Sequence, residues 1–178
     1  MAPCQLECPG QTDCQGYVGL IANGEYEEAI KLIKDRLPLP ASIGRVCPHP
    51  CEKACRRGLV DEPVSILWLK RFAADLDIDK GMFMPEIAPD THKSIGVIGG
   101  GPGGLTAAYF LRKAGHAVTI YEAMPKAGGM LRYGIPEYRL PKTVLDEEIK
   151  LIEDMGVTIK TRVRICLLYT SPSPRDAH

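Results

Sequence analysis

The residues best suited to chemistry are cysteines, and they are grouped. Cys4-x3-Cys8 opens the chain, Cys47-x3-Cys51-x3-Cys55 follows, and Cys14 stands between. Six of the seven cysteines precede residue 56. Met1 to Cys8 has neither a basic n-region nor an apolar h-region, so nothing there reads as an export signal. Without a route to an oxidising compartment, a disulfide framework is the weaker account, and metal or cluster ligation the stronger. Thiolates bind both iron–sulfur clusters and structural zinc. Zinc sites favour a shorter Cys-x2-Cys, yet on spacing alone zinc and plain reduced thiols both stay open. Cys14 reads best as a small buried apolar residue. A thiol nucleophile has little support, since no base partner is evident.

The second chemical signal is Gly99-x-Gly101-x-x-Gly104, with Pro102, Gly103 and Leu105 completing the run into a helix. Gly99 permits a tight turn, Gly101 lets backbone approach a pyrophosphate, and Gly104 lets helix and strand pack closely. The helix start offers unpaired N–H groups and a partial positive charge. Glu122 ends the next strand and is placed to accept hydrogen bonds from an adenosine ribose; it would repel a 2′-phosphate. The bland alternative is a glycine-rich turn between tightly packed elements. The fingerprint does not separate FAD from NAD. Downstream, Gly128-Gly129-Met130 could pass close to a flavin, and Arg139 could reach a phosphate or be a solvated arginine.

These residues need elements to hold them. The pattern predicts helices over 14–22, with Asp13 as N-cap, over 26–35 and over 65–76. Leu37-Pro38-Leu39-Pro40 reads as an extended connection, and residues 44–55 as a compact loop. Residues 78–92 form a linker. Strands are expected at 94–98, 117–121 and 157–165, with helices at 105–114 and 144–155 and a loop over 125–141. Strands alternating with helices imply a parallel sheet. Residues 166–178, Ser-Pro rich and unlike what precedes, are expected to be a non-native or disordered tail.

Composition narrows the class. Lys+Arg and Asp+Glu are 22 each, so bulk charge gives no argument for nucleic acid or an anionic membrane. No apolar run approaches the roughly 18 residues of a membrane span. A cytoplasmic protein is expected. Arg45, Arg56, Arg57, Lys70 and Arg71 flank the cysteines, either as a field that favours a reduced cluster or as a solvated basic face.

The chain resembles the N-terminal part of the glutamate synthase small (beta) subunit family, which shares its architecture with the N-terminal half of dihydropyrimidine dehydrogenase. The resemblance rests on Cys4-x3-Cys8-Pro9, Gly44-Arg45-Val46-Cys47-Pro48, Cys51-Glu52-x2-Cys55 and Lys70-Arg71-Phe72. It continues through Gly99-x-Gly101-Pro102-x-Gly104, Gly128-Gly129-Met130-Leu131 and Gly134-Ile135-Pro136-x-Tyr138-Arg139-Leu140-Pro141.

That resemblance implies a small all-α iron–sulfur domain (1–77) followed by an incomplete α/β Rossmann-type, FAD-binding domain with a parallel sheet (93–165). It implies 4Fe–4S ligation by Cys4, Cys8, Cys47, Cys51 and Cys55: one cluster on the cysteines present, two with further upstream ligands. The family interleaves them, residues matching Cys4 and Cys55 on one cluster and those matching Cys8, Cys47 and Cys51 on the other. It places Gly101 to Leu105 at the FAD pyrophosphate, Glu122 at the ribose, and Gly129, Met130 and Arg139 near the flavin nucleotide. A further unit would bind NAD(P)H, so this stretch is expected to be an N-terminal fragment of an oxidoreductase, inactive alone, whose parent passes electrons to a redox partner subunit. The alternative is a zinc-stapled interaction module fused to a non-catalytic nucleotide-binding unit. There are departures from the family. Ile43 stands where relatives often have a cysteine, Cys14 where they have an aliphatic residue, and Lys70-Arg71 near where some use a Gln or Glu ligand.

Overall fold

A computed structural model describes residues 1–165; the tail expected at 166–178, with Cys166, lies outside the described residues. The first part is built from helices: α1 (Pro3–Leu6), α2 (Cys14–Ala22), α3 (Tyr26–Lys34), α4 (Pro40–Val46), α5 (Pro50–Lys53), a 3-10 turn (Arg56–Leu59) and α6 (Ile66–Asp79). Asp13 caps α2, its carboxylate accepting the Gly16 N–H at 3.0 Å. In α3, Glu27 and Glu28 lie in the first turn and Lys31 and Lys34 in the last, each matching the helix dipole.

Two expectations fail here. Pro40 does not prevent a helix but begins one, and the stretch expected as loop contains the end of α4 and all of α5. At the first position of a helix a proline loses nothing, because that N–H has no partner within the helix. Helix α6 also runs three residues beyond the expected end, to Asp79.

The second part is β1 (Ser94–Ile98), α7 (Pro102–Lys113), β2 (Ala117–Tyr121), α8 (Gly129–Tyr133), α9 (Lys142–Asp154) and β3 (Thr158–Lys160). The strands form one parallel sheet in the order β1-β2-β3, with Val97 opposite Ile120 and Ile120 opposite Ile159. Here too Pro102 starts a helix earlier than expected, and the loop over 125–141 contains α8. The third strand is shorter than the 157–165 expected. Arg162 adopts a left-handed backbone, φ 60°, which turns the chain out of the ladder.

Two apolar cores result. One packs Leu105, Ala108 and Tyr109 of α7 against Val118 and Ile120 of β2 and Leu145, Ile149 and Ile152 of α9. The other gathers Tyr17, Ile30, Ile33, Ala41, Ile66, Ala73 and Ala74, with Cys14 and Cys51 among them. They interlock: Leu39, from the helical part, is buried in the first core, and Val144, from α9, packs on the second. Between them lies Glu148, fully buried. Its carboxylate accepts the Ala41 N–H at 2.6 Å and the Ser42 N–H at 3.0 Å. A carboxylate of α9 thereby satisfies the open N-terminal amides of α4. Among the described residues, no helix is long and apolar enough to cross a membrane.

Candidate functional site

The six described cysteines are all free thiols. Helix α1 packs on α5, which brings the Cys4 segment to the Cys51 segment. Cys4 and Cys55 line one cavity of about 220 Å³, together with Cys14 and the apolar Val18, Ala54, Val64 and Ile66. Among the described residues, Arg56 and Arg57 supply the only charges on its wall. Cys14 is buried, with its Sγ 3.9 Å from the Cys4 carbonyl oxygen. Burial, with Cys51 close by, pushes its thiol up to about 12.

Cys8 and Cys47 lie near enough to Cys51 for their charges to act on it. Burial alone would raise the Cys8 thiol, but the Thr12 amide and hydroxyl, the Gly10 amide and the Lys70 ammonium together bring it below the ordinary value. Cys51 is raised, chiefly by burial, with Cys47, Cys8 and Glu52 adding to the shift and Lys70 opposing it. Cys47 Sγ accepts the His49 N–H at 3.4 Å. His49 holds a left-handed backbone, φ 44°, a conformation uncommon for a residue with a side chain. The following Pro50 opens α5 and carries the chain on to Cys51.

Backbone amides aimed at sulfur are what an iron–sulfur centre uses to settle its charge. Among the described residues, no three His, Cys, Asp or Glu side chains converge tightly enough for a single metal ion. The corners of a four-iron cluster set thiolates farther apart than the roughly 2.3 Å bonds of one zinc allow. Clustered thiols, with amide donors at Cys8 and Cys47, fit cluster ligation.

The glycine turn sits at the carboxyl end of β1. Gly99 has φ 95°, a conformation open to glycine. A side chain at Gly104 would overlap the Gly99 carbonyl oxygen, so glycine there is a packing requirement. Nothing lies within 4 Å of the space a side chain would take at Gly103. Gly101 caps α7 and Pro102 is its first residue. The Leu105 N–H already donates to the Gly101 carbonyl at 2.9 Å, and its side chain is fully buried in the core. The amides left for an anion are those of Gly103 and Gly104, since proline has none.

Glu122 is not a solvated strand end. It is 7% exposed, and its two oxygens accept the Gly100 N–H at 2.6 Å and the Met124 N–H at 2.7 Å. Each oxygen keeps a second acceptor site, so ribose hydroxyls can still be bound. The second glycine pair lies directly on the first: Gly128 N–H donates to the Gly100 carbonyl at 2.7 Å. A side chain on Gly129 would come 2.7 Å from Gly101 Cα. Met130 follows, 70% exposed. Arg139 is exposed on a turn closed by its own N–H to the Pro136 carbonyl, and its side chain is tied to nothing among the described residues. Thr12, the His49 amide and Glu148 shape these sites without any sign in the spacing; a residue type announces neither burial nor the direction of an amide.

Comparison with known proteins gives the same two parts. Residues 1–82 match the family model described as dihydropyrimidine dehydrogenase domain II, 4Fe–4S cluster, and residues 97–150 match an NAD(P)-binding Rossmann-like domain. The NADP(+)-dependent formate dehydrogenase subunit beta of Moorella thermoacetica is 43% identical over 92% of this chain, which spans 26% of that protein. The NAD-dependent dihydropyrimidine dehydrogenase subunit PreT of Salmonella typhimurium is 39% identical over 92% of the chain, which spans 40% of it. Glutamate synthase [NADH] of Schizosaccharomyces pombe is 36% identical over 91% of the chain, which spans 8% of it. In order of domains and in sequence, the chain is similar to segments of glutamate synthase and of dihydropyrimidine dehydrogenase and formate dehydrogenase subunits, spans less than half the length of each, and matches a 4Fe–4S domain followed by a Rossmann-like unit.

Proposed function

We propose that this chain is the FAD- and 4Fe–4S-binding segment of an NAD(P)H-dependent oxidoreductase that hands electrons to a partner subunit. The observation that carries the reading is the joint presence of clustered thiols, with amide donors at Cys8 and Cys47, and a dinucleotide turn, held together through Glu148. In this reading residues 1–77 hold clusters through Cys4, Cys8, Cys47, Cys51 and Cys55, and residues 93–165 hold the dinucleotide. Bound there, FAD would take a hydride from NAD(P)H, and the clusters would pass its electrons on singly.

The chain's own residues bind and orient. The Gly103 and Gly104 amides face the pyrophosphate at the start of α7, where the helix dipole favours anions. Glu122 accepts the adenosine ribose hydroxyls and rejects a 2′-phosphate, which favours FAD over NADP in this turn. Gly129, packed on Gly101, brings Met130 toward the nucleotide, and Arg139 is free to move to a phosphate. The relatives named as beta subunits support an acceptor on another subunit. The six free thiols suit a reducing, cytoplasmic setting.

The test is anaerobic reconstitution with iron and sulfide, followed by titration with FAD and, separately, NAD. A brown protein with acid-labile sulfide and saturable flavin binding is expected. A colourless protein that holds stoichiometric zinc, or one that takes NAD in preference to FAD, overturns the corresponding half.

A further inference from the structure

Two lysines are buried in the helical part, and they differ in what neutralises them. Lys34, 1% exposed, meets Asp77 at 2.5 Å and the Phe83 carbonyl at 3.0 Å. Lys70, 7% exposed, has no carboxylate within 4 Å among the described residues. Its Nζ is not among the fully buried polar atoms without a partner, so the ammonium opens onto accessible space where an anionic group can reach it.

Its position is firmly set. A side chain on Gly44, three residues before Cys47, would meet Arg71 Cα at 3.1 Å, so α4 crosses α6 with backbone against backbone beside Lys70. At the start of α6, the Leu67 N–H donates at 2.8 Å to Glu52, the residue after Cys51. Helix α6 is thus pinned to both cysteine segments, with Lys70 between the two contacts. Its positive charge lies near enough to act on both Cys8 and Cys51.

We propose that Lys70 is the counter-cation of the iron–sulfur centre on Cys8, Cys47 and Cys51, and that it raises the reduction potential of that centre. The inference rests on the cluster reading above. A protonated lysine has three donors and no lone pair, so it is no ligand. It acts as a fixed charge and hydrogen-bond donor, and one added electron is more stable beside it.

The experiment is an EPR-monitored redox titration of the reconstituted 178-residue chain, with dithionite as reductant and iron and sulfide assayed in parallel. In Lys70→Met one cluster's midpoint should move to a more negative potential, and Lys70→Arg should restore it. Lys31→Gln, at an exposed pair on α3, should leave it in place. A merely structural lysine would change thermal stability without moving the midpoint. An unchanged midpoint in a Lys70→Met protein with full iron and sulfide overturns the inference and leaves the cluster reading intact. Absence of iron and sulfide from the unmodified chain overturns both. If Lys70→Met holds no cluster, retention by Lys70→Arg supports the role of charge, and loss from both variants overturns it.

Discussion

The two halves of the molecule prepare their sites in opposite ways. The Rossmann part has a finished core beneath its glycine turn: Leu105, Ala108, Ile120, Leu145 and Ile152 are wholly buried. The site sits on top of regular elements that would pack without a ligand. In the helical part the candidate ligands are built into the frame. Helices α1 and α5 have four residues each, too short to persist alone, and Cys14 and Cys51 belong to the core itself. Small cores of this kind depend on a staple. One site is an addition to a stable scaffold; the other is part of what makes its scaffold stable.

The widest separation between the halves should come from iron removal. Chelation of the reconstituted protein should abolish amide-exchange protection in α1 and α5 while leaving β1 and β2 protected, as read by hydrogen exchange. Equal loss in both halves would break the contrast. The next effect tests their junction. Burial holds the Glu148 carboxyl up at about 7, against hydrogen bonds from Ser42 and Ala41 and the charge of Lys34. The folded state therefore binds this proton more tightly than the unfolded chain, whose glutamate titrates near 4.5. Its contribution to stability is complete below that value and is lost as pH rises through about 7. The loss should reach about 3 kcal/mol, read as a falling urea midpoint between pH 4.5 and 8, and Glu148→Gln should flatten the slope. A slope unchanged in Glu148→Gln would place the titration elsewhere.

The smallest effect is confined to one half. Glu122→Ala should weaken FAD binding by about tenfold, or roughly 1.4 kcal/mol, through loss of the ribose acceptor. Iron and sulfide content should stay the same, because the cysteines are in the other core. A flavin fluorescence titration beside metal analysis checks both. Altered cluster content would show that the two sites are less separate than their cores.

The same contrast explains what could be read from the chain before its structure. The Rossmann turn was legible because its glycines answer local demands: a positive φ at Gly99 and a close approach at Gly104 are written in residue type. Asp13 as a cap was legible for the same reason. Helix α4 was not, since Pro40 looks like a breaker until Glu148, more than a hundred positions away, is seen to serve its first turn. The third strand was overextended because Val157–Ile165 keeps an apolar rhythm that the backbone of Arg162 interrupts. The approach of the Cys4 segment to the Cys51 segment depends on α1 meeting α5, a tertiary contact that spacing does not encode.

The junction also sets terms for how such proteins can be recombined. A cut in the linker at 78–92 looks clean in one dimension, but it would strand Leu39 without its pocket and leave the Ala41 and Ser42 amides without their acceptor. A chimera that fuses residues 1–92 to a foreign nucleotide-binding unit must import a carboxylate and an apolar socket in the same places. The interchangeable unit is therefore the pair of domains.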